Sequence, residues 1–198
     1  MARISFVPVD QWDPALRELV RPDQRTPLEQ GLYRIFAHRP DLATAAATYG
    51  RALRAHRTLP DRLVELVRLR IAFHNQCRSC MAIRYGDAVA DGLTEDLVCS
   101  LEQPMEATDL TGAERAAIRY GELFATNHLA IDDAVYDDLR QHFTEGELVE
   151  IGLNCAIDVG VGRLTATWDV TDDLPDDFRL AYTETATPWN AESPLIVA

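Results

Sequence analysis

The chain has 198 residues, of which 47% are hydrophobic, enough for one domain with a sizeable core. Its 32 acidic side chains outnumber 19 basic ones, for a net charge of −13. That balance argues against nucleic acid and anionic membrane surfaces as partners. The N-terminal stretch MARISFVPVDQWDPALRELV lacks a basic segment followed by a long apolar run. No segment reaches the roughly 18 apolar residues of a membrane span. The expectation is a soluble, cytoplasmic protein. In a reducing compartment its four cysteines do not form a disulfide framework.

The periodicity is helical almost throughout. The stretch from Leu28 to Leu59 carries apolar residues at helical spacing, broken at Pro40. The next segment, LPDRLVELVRLRIAF, is apolar around most of its circumference and reads as a buried helix, with Thr58 as N-cap and Pro60 in its first turn. A following helix is expected from near Cys77 through Ala90, closed by Gly92, and Thr94 caps another through Leu101. Capping boxes at Thr111/Glu114 and Thr144/Glu147 open two more helices, with Asp132 or Asp133 capping one between them. Sustained apolar/polar alternation and Asn-Gly hairpins are missing, so the fold is expected to be all-α. The organisation reads as an N-terminal extension (1–29), a helical domain (30–168) and an extended tail (169–198) punctuated by Pro175, Pro188 and Pro194. Trp189 and the closing PLIV favour docking of that tail.

The chemistry concentrates in FHNQCRSCMAIRYGD, residues 73–87. Cys77 and Cys80 are three positions apart. On a helical turn that spacing brings the side chains to about 5–6 Å at Cβ, near the separation a disulfide requires. At a helix start the unpaired N–H groups stabilise a thiolate. A redox couple, half of a metal site and a pair of small core residues all fit the spacing alone. Glu65 lies in a mostly apolar helix and suits a proton relay, or simply pairs with Arg68. Arg84, one turn past Cys80, suits thiolate stabilisation, or is a solvated helix arginine. His74 is a proton shuttle, a metal ligand or a loop residue bonded to backbone. Cys99 and Cys155 read as small core residues. An echo between RLVELVRLRIA (62–72) and ELVEIGLNCAI (147–157) aligns Glu65 with Glu150.

The segment LPDRLVELVRLRIAFHNQCRSCMAIRYGDAVADGLTEDLV resembles the signature of the carboxymuconolactone decarboxylase-like, or alkylhydroperoxidase D-like (AhpD-like), family, and its flanks resemble that family's neighbouring helices. The most specific element is Glu-x11-Cys-x2-Cys, met by Glu65, Cys77 and Cys80. The resemblance implies an AhpD-like helical bundle assembling as a homo-oligomer (trimer, hexamer or dimer), without cofactor or metal. It implies a thiol peroxidase or disulfide reductase acting on a small hydroperoxide or disulfide and recharged by a dithiol reductant. Carried over by position, Cys80 is the nucleophile, Cys77 the resolving thiol and Glu65 the proton-relay carboxylate.

The chain departs from the pattern at Arg84 and Ser79, where redox members carry histidine. Arginine keeps the positive charge but does not release a proton near neutral pH. Glu65, His74, Tyr85 or water then has to deliver it. Two other functions stay open: a non-redox decarboxylase or lyase step on a small carboxylated ring, and a redox sensor with weakened catalysis.

Overall fold

The computed structural model describes residues 2–175, 178–179, 185–190 and 194–197. In chain order its elements are α1 (Pro14–Val20), α2 (Pro27–Gln30), α3 (Tyr33–Phe36), α4 (Pro40–Ala55), α5 (Asp61–Asn75), α6 (Arg78–Ala82), β1 (Ile83–Tyr85), α7 (Gly86–Ala90), α8 (Glu95–Cys99), α9 (Gly112–Thr126), α10 (Asp133–Leu139), α11 (Glu145–Thr167) and β2 (Leu195–Val197), with short 3₁₀ turns between. The all-α expectation holds, with a minimal sheet added.

Helix α5 is the axis. It is buried on nearly every face, from Leu63 through Ala72, and packs chiefly against α9 and α11. Gly121 of α9 makes the first contact close: a Cβ built there would lie 2.7 Å from a Val67 methyl, so no larger side chain fits without movement. Asn75 ties α5 to α11, donating to the Asp158 carbonyl at 3.0 Å and accepting from Arg163 Nε at 3.2 Å. Gly162 leaves room for that amide.

The capping boxes at Thr111/Glu114 and Thr144/Glu147 form as expected, and Asp132 caps α10. Thr58 does not cap α5. Pro60 occupies that position, while the Thr58 N–H and hydroxyl donate to Glu150 at 3.0 and 2.6 Å. Glu150, the counterpart of Glu65 in the internal echo, thus anchors the entry to α5 from α11.

The helix expected from Cys77 to Ala90 is split in two. Residues Ile83–Tyr85 leave helical geometry and pair in parallel with Leu195–Val197. The tail supplies the competing hydrogen-bond partners, and Ile83 and Tyr85 suit an extended backbone. The described tail docks closely. Trp189 is buried against Phe73, with ring centroids 4.6 Å apart. The Gln76 amide clamps both the N–H and carbonyl of Ala186. No helix among the described residues is long and apolar enough to cross a membrane.

Candidate active site

The site is built where α5 ends. Gln76 turns the chain in left-handed geometry (φ 50°), the Cys77 N–H returns to the Ala72 carbonyl, and α6 starts immediately beyond. Cys77 and Cys80 are joined in a disulfide with Cα atoms 5.2 Å apart. The two sulfur-bearing residues differ in access. Cys77 is fully buried, whereas Cys80 is half-buried and lines a cavity of about 770 Å³. α6 spans only Arg78–Ala82, so the dipole expected from a long helix at this point is largely lost.

Glu65 and Arg68 of α5 line the same cavity. Their side chains form a bidentate pair: Arg68 Nε donates to Oε2 at 2.6 Å and Nη2 to Oε1 at 2.7 Å. Arg68 also donates to the carbonyls of Cys80 at 2.7 Å and Ile83 at 3.1 Å. Burial opposes its charge, but the Glu65 carboxylate more than offsets this and holds the guanidinium above its ordinary value. The Tyr85 N–H adds a third hydrogen bond to Glu65 at 3.2 Å, and the Tyr85 ring lies under Arg68, 5.1 Å from centroid to guanidinium. Burial raises the Tyr85 phenol above its usual range, with Arg68 pulling the other way.

Two sequence-derived candidates lie elsewhere. Arg84 does not reach back to the thiol. It is buried and donates from Nε and Nη2 to Glu95 at 3.0 Å, from Nη1 to the Met81 and Ile83 carbonyls, and from Nη2 to the Pro188 carbonyl. All five N–H groups of a guanidinium are used by these bonds. The strand at β1, absent from the helical expectation, sets this orientation. Arg84 is therefore the knot that holds α6, α8 and the tail together. Arg84→His lowers the melting temperature, because buried carbonyls lose their donors at about 1–3 kcal/mol each. It does not speed oxidation of Cys80, which a thermal melt and a thiol-oxidation time course check together.

His74 does not line the cavity. It sits 3.6 Å from Glu122, and its affinity for a proton is lowered by burial and Arg70, with Glu122 opposing. Cys99 is exposed rather than in the core, its thiol 3.2 Å from the Trp189 carbonyl; Cys155 is buried as expected. Among the described residues no three His, Cys, Asp or Glu side chains are grouped to hold a metal.

Sequence reasoning missed Asp158 of α11, which lines the cavity with Cys80 and Glu65. Burial raises its carboxyl to about 7, helped by Glu65 and opposed by Arg68 and Arg57. The available signal was a lone acid in the otherwise apolar NCAIDVGVG.

The geometry defines a class: an all-helical protein whose CxxC disulfide meets a buried acid at an apolar cavity. Residues 40–123, a segment that contains Glu65, Cys77 and Cys80, match the model of the carboxymuconolactone decarboxylase family. Two uncharacterised proteins from strains of Mycobacterium tuberculosis are each 33% identical over 117 residues, covering 58% of this chain and 40% of theirs. The chain thus matches only about two fifths of the length of those curated relatives. Among solved structures, an AhpD-core, uncharacterised peroxidase-related protein from Ralstonia eutropha superposes with a TM-score of 0.71 at 19% identity, covering 93% of this chain and 98% of that one. The debrominase Bmp8 superposes with a TM-score of 0.69 at 19% identity, covering 86% and 92%. At such identities these two structures establish a shared fold.

Proposed function

We propose that the protein is a thiol oxidoreductase that reduces organic hydroperoxides through a Cys77–Cys80 disulfide. The carrying observation is the unequal access of the two bonded cysteines: Cys80 lines a large cavity beside Glu65, and Cys77 is sealed behind it. An accessible thiolate is the nucleophile, and a buried neighbour within bonding distance resolves the sulfenic acid that forms. The family and the peroxidase-related fold relative support this reading.

The cavity narrows the substrate. A volume of about 770 Å³ lined by Leu32, Phe36, Leu53, Val64 and Ile157 favours a bulky apolar hydroperoxide over hydrogen peroxide. The disulfide is recharged by a dithiol, and this scheme needs neither metal nor organic cofactor. Arg68 orients the loop through the Cys80 carbonyl and holds Glu65 at the cavity by a bidentate pair.

Anaerobic thiol titration tests the proposal. The reduced protein loses two thiols on addition of one equivalent of cumene hydroperoxide, and dithiothreitol restores both. Peptide mapping places the loss at Cys77 and Cys80, with Cys99 and Cys155 unchanged. Retention of all thiols under these conditions refutes it.

A further inference from the structure

We propose that Asp158 is the proton shuttle of this thiol cycle, taking the proton of Cys80 and giving it to the oxygen that leaves when the peroxide bond breaks. The inference rests on the peroxidase reading and adds to it a residue from a helix outside the Glu-x11-Cys-x2-Cys segment.

The cycle needs a group that both accepts and releases a proton near neutral pH. Glu65 is committed: Oε1 accepts from Arg68 Nη2 and the Tyr85 N–H, and Oε2 from Arg68 Nε. Three of the roughly four lone-pair positions of a carboxylate are thus filled. Arg68 and Tyr85 hold their protons more firmly than usual. Arg84 spends its donors on Glu95 and on carbonyls, and His74 faces Arg70 and Glu122 away from the cavity.

Asp158 differs from all of these. It lines the cavity with Cys80, and its carboxyl makes no hydrogen bond or ion pair to the described residues. Its backbone is pinned, because the Asp158 carbonyl accepts from Asn75 at 3.0 Å at the α5–α11 contact. The titratable and charged groups around it are Glu65 and Arg68 from α5, Arg57 from the preceding loop, Tyr85 from β1 and Cys155 from its own helix. In that setting burial brings its affinity for a proton to about 7, where a carboxyl can be loaded and emptied within one cycle.

The step balances as follows. The Cys80 thiol passes its proton to the Asp158 carboxylate. The thiolate attacks the terminal oxygen of ROOH; an S–O bond forms and the O–O bond breaks. The alkoxide RO⁻ takes the proton from Asp158. Cys80 becomes a sulfenic acid, oxidised by two electrons, and the peroxide is reduced by two to ROH. Cys77 then displaces the hydroxyl group, which leaves as water with the Cys77 proton, and the disulfide closes.

Single-turnover oxidation of the reduced full chain tests this with two oxidants. Cumene hydroperoxide expels an alkoxide that needs a proton; peracetic acid expels acetate, which does not. At pH 7, Asp158→Asn slows reaction with cumene hydroperoxide by about 10²–10⁴-fold, the usual range for general acid–base catalysis, and slows peracetic acid far less. The wild-type rate with cumene hydroperoxide rises as pH passes through about 7, where the Asp158 carboxylate that accepts the Cys80 proton forms, and this inflection disappears in Asp158→Asn. Asp158→Glu restores part of the rate. Equal slowing of both oxidants, or an inflection that persists, overturns the proposal.

The variant is expected to fold. The ionised carboxylate is the disfavoured form, so Asp158 costs stability progressively as pH rises from 3.8 to about 7, and the cost persists above. At pH 8, Asp158→Asn therefore melts at or above the wild-type temperature. If it does not fold, Asp158→Ser carries the same comparison of oxidants. A wild-type chain that forms no disulfide with cumene hydroperoxide removes the peroxidase reading itself. A wild type that cycles normally beside an unimpaired Asp158→Asn removes only the role of Asp158.

Discussion

Cys80→Ser brings hydroperoxide consumption down to the uncatalysed background, while Cys77→Ser leaves a single oxidation intact. The asymmetry follows from access. Cys80 meets the cavity, and serine cannot replace its thiolate as a nucleophile toward oxygen. Cys77 is sealed from solvent and acts after the first step. In Cys77→Ser the Cys80 sulfenic acid therefore forms once and persists, so dimedone labels it and turnover stops. Cys99→Ser behaves as wild type, because its sulfur contacts the Trp189 carbonyl rather than the cavity. Mass spectrometry after one equivalent of cumene hydroperoxide distinguishes the three variants. If Cys77→Ser blocks the first oxidation and Cys80→Ser does not, the assignment of nucleophile and resolving thiol is reversed.

Arg68→Ala has the largest expected effect on stability. Arg68 bridges α5 to the CxxC loop with bonds to Glu65 and to the Cys80 and Ile83 carbonyls. Glu65 is 2% exposed, and its charge cannot be recovered by water once the guanidinium is gone. Breaking a buried ion pair from one side costs about 3–5 kcal/mol. At about 2–4 °C per kcal/mol for a chain of this size, the melting temperature falls by roughly 6–20 °C. The double variant Arg68→Met/Glu65→Met loses less than Arg68→Ala, since no charge is stranded. Differential scanning calorimetry at pH 7 checks the order. A double variant less stable than the single one shows that the pair contributes more than the penalty of burying its charges.

Much of the architecture was legible because it is local. A capping box is a contact between residues three apart, and the two at Thr111 and Thr144 formed where the spacing placed them. The buried character of α5 was plain from apolar residues on every face. The family signature at Glu65, Cys77 and Cys80 is likewise a spacing along one chain segment. The misreadings share a physical origin. Thr58 has the side chain of an N-cap, but Glu150, 92 residues away, claims its hydroxyl and N–H. Residues 83–85 follow a helical turn and would continue it, yet β2 offers them a ladder more than a hundred residues on.

The candidate site divides along the same line. The pair of cysteines, their disulfide-compatible spacing and the acid twelve residues upstream are properties of the covalent sequence, since a helical turn carries them wherever it goes. Which sulfur meets a cavity, which arginine binds Glu65, and that Asp158 joins them are decided by packing. α11 reaches the cavity because Asn75 ties it to α5 and Gly162 leaves room for that amide. Arg84 faces Glu95 and Pro188 because the tail folds back over β1. Burial and the direction of a side chain depend on neighbours distant in sequence, and spacing along one segment carries no record of them.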